Sequence, residues 1–326
     1  MRKAKITQAV ATANLRNQQG YHANRTIGVD YATAGFNRNK YFTSDRPIEL
    51  DEHFNFVNNP ERLLKGYGLE IELECNNINS DNVLVYILDT IVWSKFDKDL
   101  FKHQHDGSLG GNSSDENITQ IMTKEFIRNS YPSWKYAFDA MNKIGIKATT
   151  RCGMHCNMSL GLFGSKRQEQ LTCVKKLCFF INHFYLLSCG LLKRDSRNTY
   201  YCQRMSEFAD LESAKNADIE HSYSSHGVSC NNGHLNDGQG RFELRLVGGQ
   251  TSYAEFRNTM ETIFHLVDAV KNCSWDAIQD LTKVFKGCNQ YVLSRLRLCR
   301  DNGLLDSETY AAIESNYDAS VSFGNY

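Results

Sequence analysis

Three separated stretches of the chain alternate ionisable or hydrogen-bonding side chains with apolar ones. In YGLEIELEC, Glu70, Glu72 and Glu74 alternate with Leu69, Ile71, Leu73 and Cys75. In RCGMHCNMSL, Arg151, His155, Asn157 and Ser159 alternate with Cys152, Met154, Cys156 and Met158. In RFELRLV, Arg241, Glu243 and Arg245 share one parity, and Phe242, Leu244 and Leu246 share the other. Successive side chains of a strand point to opposite faces, so each stretch predicts a strand with an apolar back and a charged front. Glu70 and Glu72 on one face stand roughly 6 to 7 Å apart at their bases. Carboxylates that close repel each other unless a cation sits with them. Oxygen donors favour Mg²⁺ or Mn²⁺, and the imidazole of His155 tilts the set toward Mn²⁺. Arg241 and Arg245 beside Glu243 supply guanidiniums of the kind that hold phosphate or carboxylate oxygens. A divalent ion beside arginines is the equipment of phosphoryl transfer from a nucleotide.

Each residue also has a plainer reading. A single buried histidine is more often structural than ligating, and Glu74 at the end of its strand reads as a solvated edge residue. Cys152 and Cys156 fall on the apolar parity of their strand, with no second pair nearby to complete a zinc set, so they read as core. What favours a site is that three distant strands share one polarity and one chemistry.

The elements that must position these residues follow from periodicity. A helix is expected over Asp81 to Phe101, with Val83, Ile87, Ile91 and Phe96 at helical spacing, and a strand over Ile118 to Ile121. Pro132 opens a helix carrying Trp134, Phe138, Met141 and Ile144, which Gly145 closes. A long apolar helix is expected over Lys166 to Cys189, with Gly190 after its end. The region from Arg194 to Gly240 is polar, and its HGVSCNNGHLNDGQG part has the composition of a mobile loop. Ser252 and Glu255 signal a capping box for a helix striped with Phe256, Met260, Ile263, Phe264 and Val267. Two further stripes follow, Trp275, Ile278, Leu281 and Phe285, then Val292, Leu296 and Cys299. Strands and helices mix without strict alternation, which predicts an α+β fold around a mostly antiparallel sheet.

At 326 residues the chain can bury a large core, and 37 Lys plus Arg balance 37 Asp plus Glu. Zero net charge argues against wholesale coating of nucleic acid. Residues 1–46 nevertheless hold eight Lys or Arg against Asp30 and Asp45 alone. Residues 1–60 therefore read as a basic arm, either a solvated extension or a contact for a polyanion or partner. Eleven scattered cysteines suggest reduced thiols in a cytosol. Arg2, Lys3 and Lys5 have no apolar run behind them, and Leu177 to Leu192 is interrupted by Asn182, His183 and Ser188. Neither a secretory leader nor a membrane span is expected, and the reading is a cytoplasmic protein.

Six ordered motifs, GLEIELE, HDGSL, ENITQIMT, RCGMHCNMSL, RNTYYC and RFELRLVGG, resemble those of the amidoligase family. This family is a branch of the carboxylate-amine ligases with a glutamine synthetase-like catalytic fold. The likeness runs from about Tyr67 to Val270. It implies a curved, mostly antiparallel sheet with helices on its outer face. The domains would be a ligase domain over 61–272 and a helical extension packed on it over 273–326. It implies ATP-dependent amide formation through an acyl phosphate, with Mg²⁺ or Mn²⁺, joining the carboxylate of an amino acid or peptide to an amine. Carried over residue by residue, the likeness makes Glu70, Glu72, His155 and Glu243 metal ligands, and Glu116 a ligand of a second metal or a solvated loop glutamate. Arg241 and Arg245 become phosphate-contacting catalytic residues. Asp106 would receive the proton of the attacking amine, or merely close a turn. Arg194 and Arg197 would bind substrate carboxylate or phosphate, or form surface ion pairs. Asn157 stands where the family has a second histidine and could donate a hydrogen bond to a phosphate. Ile121 replaces a usual proline. Two competitors are a guanidino-type phosphotransferase on the same superfold and a non-catalytic metal-binding interaction protein. Sequence leaves the substrates and the oligomeric state open.

Overall fold

The computed structural model describes residues 65–97, 100–104, 108–197, 200, 202–220, 227–235, 240–321 and 323. The basic arm of residues 1–60 and Asp106 lie outside them. Among the described residues, seven strands form one open sheet. They are β1 (Tyr67–Cys75), β2 (Phe101–Gln104), β3 (Ser113–Thr119), β4 (Ile146–Lys147), β5 (Met154–Ser159), β6 (Cys230–Asn231) and β7 (Arg241–Leu244). The order is β2-β3-β1-β5-β7-β6, with β4 pairing the end of β1, and all of these pairings are antiparallel. The three alternating stretches thus become the adjacent strands β1, β5 and β7, although some 70 to 90 residues separate them in the chain.

Their apolar parity builds the core. Leu69, Ile71, Leu73, Met154, Cys156, Met158, Phe242 and Leu244 are all buried. Three helices cover that face: α3 (Tyr131–Ile144), α4 (Arg167–His183) and α7 (Tyr253–Asn272), numbered after α1 (Asp81–Ile87) and α2 (Lys124–Asn129). Tyr67 packs on Phe264 with ring centroids 4.7 Å apart, and Trp134 packs on Phe256 at 4.4 Å. Burying side chains of this size contributes about 1.5–3 kcal/mol each. Gly145 takes φ +86° just past α3, the left-handed stop its position predicts. The hydroxyl of Ser252 accepts from Glu255 N at 3.2 Å and opens α7.

Four expectations need correction. The helix from Asp81 turns π-helical over Leu88–Val92 and ends there, and Phe101 belongs to β2. Phe96, the last residue of the expected stripe, lies past the helix and packs on Trp93 at 6.2 Å and on Phe101 of β2 at 5.4 Å. Strand β3 starts five residues earlier than its apolar end suggested. Its inward positions Asp115, Asn117 and Thr119 are polar and are satisfied by His103, Trp93 and the N–H of Leu69. The long helix breaks at Phe184 into α4 and α5 (Tyr185–Leu191), which contains Gly190. A Cβ at Gly190 would stand 2.8–2.9 Å from Leu304 and Cys299, so this glycine permits packing rather than ending a helix. The polar region from Arg194 contains α6 (Leu211–Asn216), and its part read as a mobile loop contains β6.

Past residue 273, the first apolar stripe forms a turn over Ala277–Gln279 and the short α8 (Leu281–Val284). The second forms α9 (Gln290–Asp301), followed by α10 (Ser307–Glu314). Arg295 of α9 donates through Nε to Leu191 O at 2.9 Å, and Asn289 at its N-cap donates to Glu261 of α7 at 2.8 Å. These bonds fix the last helices to the body. Among the described residues, no helix is long and apolar enough to cross a membrane. All eleven cysteines are unpaired thiols, and ten are buried.

Candidate functional site

The strand register sets the site. Across β1 and β5, Glu70 faces His155, and across β1 and β3, Glu72 faces Glu116. Asn157 faces Glu243 on β7, which in turn faces Asn231 on β6. Side chains directly opposite in an antiparallel pair share a face, so five strands contribute to one polar surface.

His155 is the hub. Its Nδ1 lies 3.0 Å from Glu70 Oε2 and 3.6 Å from Glu243 Oε1, and its Nε2 lies 3.6 Å from Glu72 Oε1. Glu70, Glu116 and His155 each bring one ligand atom within 4.8 Å of the others. Arg245 Nη1 donates to Glu243 Oε1 at 2.6 Å, and Asn231 Nδ2 donates to its other oxygen at 2.7 Å. Asn157 donates to Glu70 Oε1 at 2.9 Å while its carbonyl accepts from Arg241. The backbone N–H of Gly153 donates to Glu72.

Four carboxylates therefore crowd around one imidazole, with Arg241 and Arg245 alongside. Burial alone would raise the pKa of Glu70, but the bond and charge of His155, then Arg241 and the bond from Asn157, hold it at about 2. Burial would lower the pKa of His155, but Glu72 and Glu70 push it up to about 9 against the opposing charge of Arg245. Glu70 at 16% side-chain exposure is the most open of the carboxylates facing His155, so the cluster can be approached from solvent. Its donors are carboxylate oxygens and one imidazole, which fits a hard divalent cation such as Mg²⁺ or Mn²⁺.

Of the residues predicted from sequence, Glu70, Glu72, Glu116, His155, Asn157, Arg241, Glu243 and Arg245 come together here. Arg194 joins them from outside the sheet. A Cβ on Gly153 would lie 3.0 Å from His155 Nε2 and 3.5 Å from Arg194 Nη1, so the guanidinium stands beside the imidazole across that glycine. Arg197 does not join. Its guanidinium is 89% exposed and pairs with Asp195 at 3.0 Å. Glu74 is not the solvated edge residue its position suggested. It is buried, accepts from Gly110 N at 2.7 Å and pairs with Arg151 at 3.2 Å. Cys152 and Cys156 are buried as their parity indicated, and burial pushes the Cys152 thiol up to about 12.

Two contributors escaped the sequence reading. Gly153 acts through its backbone, which no side-chain pattern reveals. Asn231 belongs to VSCN, where Ser229 and Asn231 alternate with Val228 and Cys230 as in the other strands. The surrounding glycines and asparagines hid that signal. Against known proteins, no family model matches the chain, and no curated protein matches it.

Proposed function

We propose that the protein is an ATP- and Mg²⁺- or Mn²⁺-dependent carboxylate-amine ligase of the amidoligase type, with a sheet of the glutamine synthetase-like kind. The observation that carries this reading is the convergence of Glu70, Glu72, Glu116, Glu243 and His155 beside Arg241 and Arg245 on one sheet face. Four of the six motifs that suggested the family supply that face, on the neighbouring strands β3, β1, β5 and β7.

In this reading the four glutamates and His155 hold the metal ions. Bound Mg²⁺ or Mn²⁺ supplies positive charge to the phosphoryl oxygens of ATP. Arg241 and Arg245 bind the oxygens of the transferred group and of the substrate carboxylate. Asn157 acts as a positioning residue, since one amide ties Glu70 to Arg241 and fixes an acid and a guanidinium relative to each other. Arg194 orients the carboxylate that attacks the γ-phosphoryl group. Asp106 receives a proton from the amine that then displaces phosphate from the acyl group.

The test is release of ADP from ATP with a panel of carboxylates and amines, with Mg²⁺ or Mn²⁺, and mass analysis of the product. The expected result is ADP release that requires both partners and a product carrying a new amide. A product that keeps the phosphate replaces the ligase reading with a phosphotransferase. Metal binding with no nucleotide turnover on any pair replaces it with a binding protein.

A further inference from the structure

A cavity of about 330 Å³ opens beside the carboxylate cluster, at the end of the sheet where β4 runs into β5. Thr149, Thr150 and Cys152 line one side, and Lys193, Arg194 and Thr251 line the other. The cavity approaches the cluster through Cys152 and Arg194. Gly153, next to Cys152, donates to Glu72 and lies against both His155 and the Arg194 guanidinium. Arg194 thus lines the empty volume and brings its guanidinium near the metal-type ligands.

The backbone here is held unusually tightly. Lys193 has φ +60°, the only positive value for a non-glycine among the described residues. A residue with a side chain rarely adopts that conformation unless its surroundings enforce it. The enforcing contact is with the glycine pair that ends RFELRLVGG. A Cβ on Gly248 would collide with the Lys193 carbonyl, and a Cβ on Gly249 would stand 2.6 Å from that of Ala148. Gly248 N donates to Leu192 O at 3.0 Å, and Arg194 N donates to Cys189 O at 2.8 Å. The pair of glycines lets residues 192–194 cross at close range, which aims Arg194 at the cluster.

The charges around the rim are already engaged with the protein. Lys193 bonds Thr251 at 2.9 Å and also Glu255, and Asp195 pairs with Arg197. Arg194 reaches the Cys202 thiol, but a guanidinium has five donors and can hold its own bonds together with a ligand's oxygens. A space of this size lies at the lower end of ligand pockets, which suits a molecule of amino-acid size rather than a nucleotide or a folded chain.

We propose that this cavity holds a small carboxylic acid of amino-acid size, with its carboxylate on Arg194 and directed at the His155 and Glu72 side of the cluster. This rests on the ligase reading and narrows its acceptor from an amino acid or peptide to a single small molecule. Nucleotide and metal would then enter from the open front of the sheet, and the acid from the cavity.

The test is calorimetric titration of the full-length protein, without nucleotide or metal, with free amino acids and small dicarboxylic acids, and with their amides as controls. Two variants, Arg194→Gln and Thr150→Trp, are compared with the parent. Thr150 is exposed at the mouth, so its enlargement blocks the space without burdening the core. The expected result is that at least one acid binds, that its amide does not, and that each variant weakens binding by about tenfold or more. Mn²⁺ titrations should be unchanged in Thr150→Trp. The proposal is overturned if no acid in the panel binds, or if both variants bind acids as the parent does. ATP turnover read in parallel separates the two claims. Acid binding lost in both variants with no ATP turnover in the parent removes the ligase reading and keeps the pocket. ATP turnover with acid binding indifferent to both variants removes the pocket and keeps the ligase.

Discussion

Two parts of this molecule bury glutamates against arginine, and they do so in opposite ways. On α7, Glu261 is wholly buried and receives four donors. Arg128 donates at 2.9 and 2.6 Å, Tyr131 at 2.7 Å and Asn289 at 2.8 Å. One acid faces one guanidinium, and both of its oxygens are filled. On the sheet face, Glu70, Glu72, Glu116 and Glu243 crowd around His155 and share donors with one another. A closed network of the first kind joins four helices, α2, α3, α7 and α9, and has no capacity left for a ligand. A crowded set of the second kind is costly unless cations join it, and it is kept where binding depends on it.

The comparison is broken most directly at Glu261. Glu261→Gln should lower unfolding free energy by about 4 kcal/mol, because half-buried Arg128 loses its counter-charge and an amide N–H replaces a wholly buried acceptor oxygen, and should leave Mn²⁺ affinity unchanged. Denaturant titration and calorimetry read the two quantities. Glu243→Gln should do the reverse, with Mn²⁺ affinity down by about 100-fold, or roughly 3 kcal/mol. Its unfolding midpoint should fall much less than that of Glu261→Gln, since the change takes a counter-charge from Arg245 but relieves repulsion among the remaining carboxylates. If both variants lose stability and neither loses metal, the sheet face is a structural network like that of α7.

The region around His103 sharpens the contrast between a histidine serving structure and one serving a site. His103 Nε2 lies 2.8 Å from Asp89, and Nδ1 contacts Asp115. Burial would lower its pKa, but its bonds to and the charges of Asp115 and Asp89 raise it to about 9. A pKa raised on folding adds stability that is complete below the unfolded value of about 6.5 and is lost as pH rises through about 9. This histidine's share should thus fall by on the order of 2 kcal/mol between pH 6.5 and 9.5, and His103→Gln should make the slope shallower by that amount, leaving the share of His155. The smallest effect belongs to Arg197. Its replacement by alanine should change neither the denaturation midpoint nor Mn²⁺ binding, since its partner Asp195 and its own guanidinium are held at the surface.

Much of the site was legible before any coordinates, because strand parity is a local property. Glu70, Glu72, His155, Asn157, Arg241, Glu243 and Arg245 each announced their face by alternating with apolar neighbours. Glu116 was harder to place, since SSDENIT is polar on both faces and has no apolar phase to read. Its inward residues are stabilised by partners from β1, β2 and the turn after α1, which are contacts at long range. Arg194 and Arg197 show the limit most clearly. They lie three residues apart in a polar segment with no periodicity, yet one reaches His155 and the other remains in solvent.

The sequence by itself determined which side chains share a strand face, where α3 and α7 begin or end, and that acids, an imidazole and guanidiniums belong to one chemistry. These follow from dihedral preferences, caps and alternation, which depend on near neighbours. Only the tertiary structure decided that β1, β5 and β7 lie side by side, that Glu74 is buried, that residues 192–194 cross the glycine pair, and that a cavity opens behind Arg194. Those outcomes depend on which distant backbones pack closely together, and no local pattern encodes that.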